Sequence, residues 1–544
     1  MIGNADLVLS SNAIFTGLTD TLVKGSVAIK DGRIQAVGTI EKMERYIGAD
    51  TTVYHYGDQM IMAGFQDFHI HLFLGSLCQE SVSLRGCSSE EAAARKVKEF
   101  ADNRPDDPWV IGFQWYHIYW EKKELPHRSS LDKLIPDRPV FLLNEECHGA
   151  WLNSKALEIC GIDKYTPDPP FGEIARDESG EPTGFLYETA MGLAREAFQS
   201  IPKERQIQVM EQFLKKAARL GITTVNDMLP LPNLELGDPA FYQEFEQAGK
   251  LTTRIQFLST LDGDLERACQ LRDRYHSDKL KFSGLKQFLD GVPTTYTAFL
   301  TSPYSDRPDT CGSTLLPEDT VKKWAVEADK EGFRIRFHAC GDGAVQLALD
   351  CFEEAQKQNG VRDARHTIEH IEVIHPDDSN RFEKLGVIAS MQPEHMAAAS
   401  LEEHEYVERL GTEREPFTWP IYTLINHGAR MAFGSDYPVV DLDPLTEIYR
   451  AVTRLHDDGL PDGGWNPEEK ISLAEALRCY TKGSAYGSFQ EQESGTIEEG
   501  KWADIIVLDR NLFTVPAADI RKAEVLLTIM DGQIVFEKEG VENT

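Results

Sequence analysis

Two histidines separated by one residue are the clearest chemical signal in this chain. His69 and His71 end the apolar run Met60-Ile-Met-Ala-Gly-Phe-Gln-Asp-Phe-His-Ile-His. Because alternate residues of a β-strand share a face, the two imidazoles should point the same way and form half of a metal site. An isolated His-x-His is weak evidence, so the other ligands must be sought at the ends of further strands.

Candidate ligands do follow further predicted strands. They are Lys286 in Leu-Lys-Gln-Phe-Leu-Asp-Gly, His338 in Phe-His-Ala-Cys-Gly-Asp, His370 in Arg-His-Thr-Ile-Glu-His and Asp436 in Phe-Gly-Ser-Asp-Tyr-Pro. Each has a structural alternative: a histidine can satisfy a core hydrogen bond, Lys286 can pair with Asp290, and Asp436 can cap a helix. Their joint occurrence at strand ends favours a metal centre.

Apolar strands and amphipathic helices alternate between these residues. Eight strands are predicted, at Phe65–His71, Gly221–Met228, Thr253–Leu261, Ser283–Val292, Phe333–His338, Arg365–Ile371, Gly386–Gln392 and Ala429–Asp436. This order favours an α/β fold with a parallel (β/α)8 barrel of the TIM type, and an open doubly wound sheet is the alternative. In a barrel the carboxyl ends of the strands meet at one face, which would bring the candidate ligands together.

The chain ends and one long interval lie outside the barrel pattern. Residues 22–38 and 525–537 both indicate hairpins around Asp-Gly turns, so we predict a composite β-sandwich domain from residues 1–60 and 490–544. Two unrelated hairpins are the alternative. The barrel should occupy residues 61–489. Roughly 130 residues separate its first two strands, too many for an ordinary loop, and we predict an inserted lid or substrate subdomain at residues 75–205.

Composition narrows the class of protein. The chain has 544 residues with 56 basic and 89 acidic side chains, a formal net charge of −33, which disfavours binding to nucleic acid or anionic membranes. Nine scattered cysteines without a Cys-x-x-Cys pair disfavour a disulfide framework and indicate a reducing compartment. No targeting or membrane-spanning segment is predicted. We therefore expect a soluble, cytoplasmic protein.

Several segments occur in an order that is typical of one family. They are MAGFQDFHIHL, LKQFLDG, HACGDGA, RHTIEHIE, ASMQPEH, FGSDYPV and the tail GTIEEGKWADIIVLD. Together they resemble the amidohydrolase superfamily, in the YtcJ-like branch that includes N-substituted formamide deformylases. The resemblance covers nearly the whole chain and implies a metal-dependent enzyme. Departures are confined to the insertion, where Glu146-Cys147 stands in place of a common Asp-Gly.

The resemblance also implies a set of metal ligands. For a first divalent metal they are His69, His71 and Asp436, and for a second they are His338 and His370. Lys286 occupies the position that, once carbamylated by carbon dioxide, can bridge two metals. Zinc is the expected metal, with manganese, nickel or iron as alternatives. One metal beside an unmodified Lys286 is the other arrangement that the sequence allows.

The implied chemistry is hydrolysis by metal-activated water. Asp436 is the expected general base, and His338 is the second catalytic candidate. Candidate substrate-binding residues are His148, Gln392, Trp115 and His395. For His148 and Gln392 a structural role is equally compatible with the sequence.

The expected substrate is a small non-peptide amide, such as a formamide, an N-acyl compound or a cyclic amide, cleaved at its C–N bond. Fold and metal do not fix the bond that is broken, so a lyase, an isomerase or an esterase is an alternative. A non-catalytic relative that acts as an interaction protein is another, although such a protein should have lost ligands. A homodimer is the expected assembly.

Overall fold

A computed structural model of the chain describes residues 3–170, 172–195, 197, 201–228, 230–231, 234–235, 237–398, 400–401 and 404–539. The strands form three large sheets and one two-stranded ribbon, Pro230–Leu231 with Leu234–Glu235. We call the three sheets the barrel sheet, the inserted sheet and the terminal sheet. Among the described residues, none of the helices has the length and apolar character needed to cross a bilayer.

The barrel sheet contains eight parallel strands whose order in space follows their order in the chain. They are Phe65–Ile70, Ile222–Asp227, Arg254–Thr260, Leu280–Phe288, Ile335–Ala339, Thr367–His370, Ile388–Met391 and Arg430–Phe433. A parallel bridge between Ile70 and Tyr437 brings the first strand beside the turn that follows the eighth. The predicted (β/α)8 barrel is confirmed, and its fourth strand begins and ends earlier than predicted.

Helices surround the barrel sheet and follow the amphipathic pattern of the sequence. Helix Lys203–Arg219 buries an apolar stripe that includes Met210 and Phe213, and helix Leu473–Arg478 begins with a capping box formed by Ser472 and Glu475. The other helices of this part of the chain are Leu72–Glu80, Pro239–Gln247, Leu265–Arg274, Glu318–Lys330, Asp342–Asn359, Arg381–Leu385, Glu405–Leu410, Ile421–Asn426, Pro444–Thr453 and Ser484–Gly487.

The inserted sheet lies between the first and second barrel strands in the chain. Its six strands are Val82–Ser83, Val110–Trp115, Val140–Asn144, Gly149–Leu152, Gly172–Arg176 and Pro182–Glu188, and its helices are Glu90–Asn103, Arg128–Asp132 and Ser154–Ile159. The sheet has an apolar cluster of its own around Trp115 and Trp151. This compact unit lies within the predicted 75–205 insertion, whose limits stay a prediction.

The terminal sheet joins the two ends of the described chain. Its strands are Leu7–Phe15, Val23–Lys30, Arg33–Gly38, Thr52–His55, Met60–Ala63, Ile505–Leu508, Val525–Met530 and Gln533–Glu537, and helix Ile40–Met43 lies beside them. The two Asp-Gly turns have the positive φ angles that their hairpins require. Strands from both ends share one apolar cluster. The limits 1–60 and 490–544 stay a prediction.

Candidate active site

The barrel brings three predicted ligands into direct contact. His69 belongs to the first strand, His71 follows it, and Asp436 lies three residues beyond the eighth strand. The Oδ1 atom of Asp436 is 3.2 Å from Nε2 of His69 and 3.3 Å from Nε2 of His71. All three side chains are buried, so the two imidazoles of the His-x-His pair converge on one carboxylate.

Two further histidines complete this cluster. The ring centroids of His338 and His370 are 4.5 Å apart, and the centroid of His370 is 4.9 Å from that of His69. Burial lowers the pKa of both His338 and His370 well below the usual range. The rings are therefore neutral, which is the form that ligates a metal.

The backbone is held in an unusual conformation at two of these residues. His370 has a φ of 73° and Asp436 a φ of 56°, a left-handed region that costs about 1–3 kcal/mol for residues other than glycine. Interstrand hydrogen bonds offset that cost, because the Asp436 amide donates to the His69 carbonyl at 2.7 Å. The closure of the barrel therefore positions Asp436 against the first strand.

The buried ion pair of Glu369 and Arg336 orients the His69 ring through its Nδ1 atom. Nδ1 of His69 donates to Oε2 of Glu369 at 2.8 Å, and Arg336 donates to the other oxygen of the same carboxylate. Burial would raise the pKa of Glu369, but the Arg336 guanidinium outweighs it and holds the pKa well below the usual range. This arrangement leaves Nε2 of His69 directed at Asp436, as in metal sites where a carboxylate fixes the histidine tautomer.

Asp436 and Lys286 are buried polar groups that each have an atom without a hydrogen-bond partner among the described residues. Burial would raise the pKa of Asp436, but His69 and the neighbouring histidines hold it well below the usual range, and its Oδ1 has no hydrogen-bond partner among the described residues. The Lys286 ammonium nitrogen is likewise buried without such a partner there. Burial lowers the pKa of Lys286 to about 8.

The donor set fits a divalent metal. His69, His71 and Asp436 form one group of potential ligand atoms that lie within 4.8 Å of one another, and His370, His395 and Asp436 form another. Nε2 of His338 lies 3.2 Å from the Gly291 carbonyl, which leaves Nδ1 of that ring available. Imidazole nitrogens beside a buried carboxylate are the ligands that zinc and similar ions prefer.

The insertion adds a second layer of polar groups above this cluster. His148 lies opposite His338, with 5.8 Å between the ring centroids, and its Nδ1 donates to Oε2 of Glu188 at 2.8 Å. Burial disfavours the charged ring, but Glu188 outweighs it and raises the pKa of His148 to about 9. His148 and Glu146 help to line a small chamber of about 40 Å³. The chamber is also lined by the candidate ligands His69, His71, His338, His370 and Asp436, which we call the metal-ligand cluster.

A larger cavity of about 520 Å³ leads outward from the cluster. Barrel loops form one side of it, and the insertion forms the other with residues such as Tyr116 and Glu146. The arrangement is that of a barrel enzyme, with ligands at the carboxyl ends of the strands and a substrate-sized cavity above them.

Comparison with known proteins decides the family. A family model described as "Amidohydrolase family" matches residues 57–536. The chain belongs to the amidohydrolase family. The expected family and its enzyme class are thereby confirmed.

Relatives of this amidohydrolase span nearly its whole length. It is 32% identical to Protein LONG AFTER FAR-RED 3 of Arabidopsis thaliana, over 98% of this chain and 92% of the relative. It is 30% identical to Putative amidohydrolase YtcJ of Bacillus subtilis, over 96% and 98%. It is 29% identical to N-substituted formamide deformylase of Arthrobacter pascens, over 95% of each chain. The resemblance to the YtcJ-like branch is confirmed.

A solved structure agrees with this assignment. The crystal structure of an uncharacterized metal-dependent hydrolase from Pyrococcus furiosus has a TM-score of 0.72 at 27% identity, and the match covers 93% of this chain and 99% of that one. The barrel described above is therefore the fold of a metal-dependent hydrolase.

The predicted substrate-binding residues of this amidohydrolase have different surroundings. His148 lines both cavities, and His395 lines the larger one, with its Nε2 3.8 Å from Oδ2 of Asp436 and its Nδ1 3.6 Å from Oε1 of Glu372. His395 is thus also a candidate ligand. Gln392 is buried, and both polar atoms of its amide lack a hydrogen-bond partner among the described residues; its substrate role stays a prediction.

Trp115, which was predicted to bind substrate, is not among the residues that line the two cavities described above. Trp115 is fully buried in the core of the inserted sheet, and its indole N–H donates to the Leu142 carbonyl at 2.9 Å. Side chains alternate along a strand, and the neighbours Gln114 and Tyr116 line the large cavity instead. The sequence alone could not show which face of this strand meets the cavity.

Proposed function

We propose that this amidohydrolase cleaves the C–N bond of a small non-peptide amide, such as a formamide, an N-acyl compound or a cyclic amide, and that its metal is zinc. The observation that carries the proposal is the convergence of His69 and His71 on Asp436 at 3.2 and 3.3 Å. The formamide deformylase among its relatives supports the bond class.

The metal-ligand cluster and Asp436 divide the chemistry. A divalent metal held by His69, His71 and Asp436, with His338 and His370 beside it, would supply Lewis acidity and an acidified water. Asp436 is ionised, and its Oδ1 faces the cluster, so this oxygen would accept the proton of the attacking water. The same group would then return the proton to the nitrogen of the leaving amine.

His148 would stabilise the charge that develops on the substrate. Its pKa of about 9 keeps the ring protonated at neutral pH, and because Nδ1 is bonded to Glu188, the Nε2–H remains available as a donor. A protonated imidazole aimed at the amide oxygen would stabilise the tetrahedral oxyanion. The insertion that carries His148 would also exclude bulk water from the chamber.

Lys286 is the proposed site of carbamylation. Its buried amine has a pKa of about 8, so about a tenth of it is neutral and nucleophilic at pH 7, far more than for an ordinary lysine. The nitrogen lone pair would attack carbon dioxide, a new N–C bond would form, and the nitrogen would lose one proton to give the carbamate anion.

The test combines metal analysis with an amide panel. We expect about two equivalents of transition metal in the purified protein, and turnover of at least one formamide or N-acyl compound. Asp436→Asn should lower kcat by about a hundredfold or more, whereas the exposed Asp462→Asn should retain wild-type activity. Metal-free protein that is fully active, or an Asp436→Asn variant as active as the Asp462→Asn control, would contradict the proposal.

A further inference from the structure

We infer that the substrate carries a positively charged group, an alkylammonium or a guanidinium, which binds beside Glu146 in the large cavity. This inference rests on the proposed function, because it names the class of amide that the same site accepts. Three features of the cavity support a cationic substrate: the charge of its wall, two buried carboxylate oxygens without a hydrogen-bond partner in the part of the chain that the structure describes, and the aromatic rings next to them.

The wall of the large cavity is strongly acidic. Among the described residues that line it, Arg85 is the only lysine or arginine, whereas carboxylates come from the insertion and from several barrel loops. Arg85 is itself neutralised, because its guanidinium lies 2.8 Å from Glu145 and 3.9 Å from Asp441. His148, which is protonated at neutral pH, also lines this cavity, but it pairs with Glu188 at 2.8 Å. The wall therefore carries more carboxylates than cations, and this favours a cation over an anion as ligand.

Glu146 is placed to contact a ligand. One of its carboxylate oxygens accepts a hydrogen bond from the Thr294 hydroxyl, while its Oε2 is buried and has no hydrogen-bond partner among the described residues. Glu146 lines both the large cavity and the small chamber. A charged group that contacts Glu146 would thus hold the rest of the substrate close to the metal-ligand cluster.

A second carboxyl group in the same wall also has an oxygen without a hydrogen-bond partner among the described residues. Glu447 is only 1% exposed; its Oε2 accepts from the Glu394 amide at 2.8 Å, but its Oε1 has no hydrogen-bond partner in the described part of the chain. Burial raises the pKa of Glu447 well above the usual range. A cation bound in the cavity would favour its ionised form, whose free oxygen would accept hydrogen bonds from an ammonium or guanidinium group.

Two other carboxylates of the cavity wall already form ion pairs with arginine side chains. Glu394 pairs with Arg450 at 2.7 Å, and Glu145 pairs with Arg85. Glu146 and Glu405 have no such ion pair among the described residues. Burial raises the pKa of both to about 7, and a bound cation would restore their ionised form.

Aromatic rings complete the binding surface beside these carboxylates. The Tyr116 hydroxyl lies 3.4 Å from Oε2 of Glu405, and the rings of Tyr116 and Tyr119 meet edge to face with centroids 5.2 Å apart. Both rings line the cavity. Carboxylates next to tyrosine faces form the surface that binds organic cations, through ion pairing together with cation–π attraction.

The experiment compares amides that differ only in one terminal group. Three N-acyl compounds of equal length would carry an ammonium, a methyl or a carboxylate group, and kcat/KM would be measured for each. We expect the ammonium compound to exceed the methyl compound by about tenfold or more. Glu146→Gln should reduce that ratio about fivefold or more, and the exposed Glu413→Gln should preserve it. Equal values for the three compounds, or a preference for carboxylate, would overturn the inference.

A binding measurement separates this inference from the proposed function. Calorimetric titration of the metal-loaded protein would compare phenethylammonium with 2-phenylethanol. We expect the ammonium to bind about tenfold more tightly, with the difference reduced in Glu146→Gln and retained in Glu413→Gln. If the amides are not hydrolysed but the ammonium is preferred, the inference stands and the proposed reaction fails. If amides are hydrolysed and neither experiment shows a preference, the reaction stands and the inference fails.

Discussion

Replacing Glu369 with glutamine would test how far a buried charge pair supports the metal-ligand cluster. Glu369 and Arg336 are both completely buried, and the carboxylate accepts hydrogen bonds from Arg336 and from His69. Glutamine preserves the size of the side chain but removes its charge. The Arg336 guanidinium would then remain buried without its counter-ion.

Two effects of this substitution can be given magnitudes. Removing one partner of a buried ion pair costs about 3–5 kcal/mol, because the other charge stays desolvated. Both side chains are fully buried, so solvent screening does not reduce that value. The loss of the carboxylate behind a ligating histidine typically lowers metal affinity about 10- to 100-fold. We therefore expect Glu369→Gln to lower both the free energy of unfolding and the affinity for zinc.

The two effects are measured separately. Urea unfolding of chelator-treated protein gives the change in stability, and competition against a chromogenic chelator gives the change in zinc affinity. Glu318→Gln is the matched control, because Glu318 pairs with Lys322 at 3.5 Å on the surface with its side chain 50% exposed; it should change stability by less than about 1 kcal/mol. If Glu369→Gln matches this control in both measurements, the reasoning is refuted.

Three further predictions concern the same site. Glu188→Gln should move the alkaline limb of kcat/KM from near pH 9 to a lower pH, because Glu188 is the main group that raises the pKa of His148 to about 9 against the effect of burial. The imidazolium is present below its pKa and lost above it, so the variant should lose activity severalfold on the alkaline side of a pH-rate profile. Gly434→Ala should cost about 1–3 kcal/mol in thermal unfolding and reduce bound metal, because the added Cβ would meet the His69 amide nitrogen at 2.3 Å. Lys286→Ala should lose activity that returns about tenfold or more on addition of propionate and zinc.

Each of these predictions has its own control. A His148→Gln variant should show no alkaline limb near pH 9, and an unchanged limb in Glu188→Gln would show that another group sets it. Gly3→Ala adds a Cβ with no atom within 4 Å, and its stability should equal that of wild type; equal stability of Gly434→Ala would contradict the packing argument. Unchanged metal content in Lys286→Ala would argue against a bridging carbamate.

The barrel could be predicted because its signals are local. Seven of the eight strands begin within about two residues of their predicted starts, which is within the usual boundary error. Convergence of His69 with Asp436 followed from the topology alone, since parallel strands place their carboxyl ends at one face. The left-handed backbone at Asp436 could not be foreseen, because interstrand contacts impose it.

Pairs that are distant in sequence were missed. Glu369 stands beside the predicted ligand His370, yet its partners Arg336 and His69 are 33 and 300 residues away. The only local signal was a carboxylate inside a strand that was predicted to be buried, which should have prompted a search for a buried cation. His366, which begins the same sequence motif, packs against Phe352 and is hydrogen-bonded to Asp329.

The terminal sheet also constrains how the protein is made. Strand Met60–Ala63 leads directly into the strand that carries His69, but one of its two hydrogen-bonded neighbours, Ile505–Leu508, is synthesised hundreds of residues later. Until Ile505–Leu508 leaves the ribosome, one hydrogen-bonding edge of the apolar strand Met60–Ala63 stays unpaired beside the nascent barrel. Chaperone demand during translation, rather than the stability of the finished enzyme, should therefore limit its yield when expression is rapid.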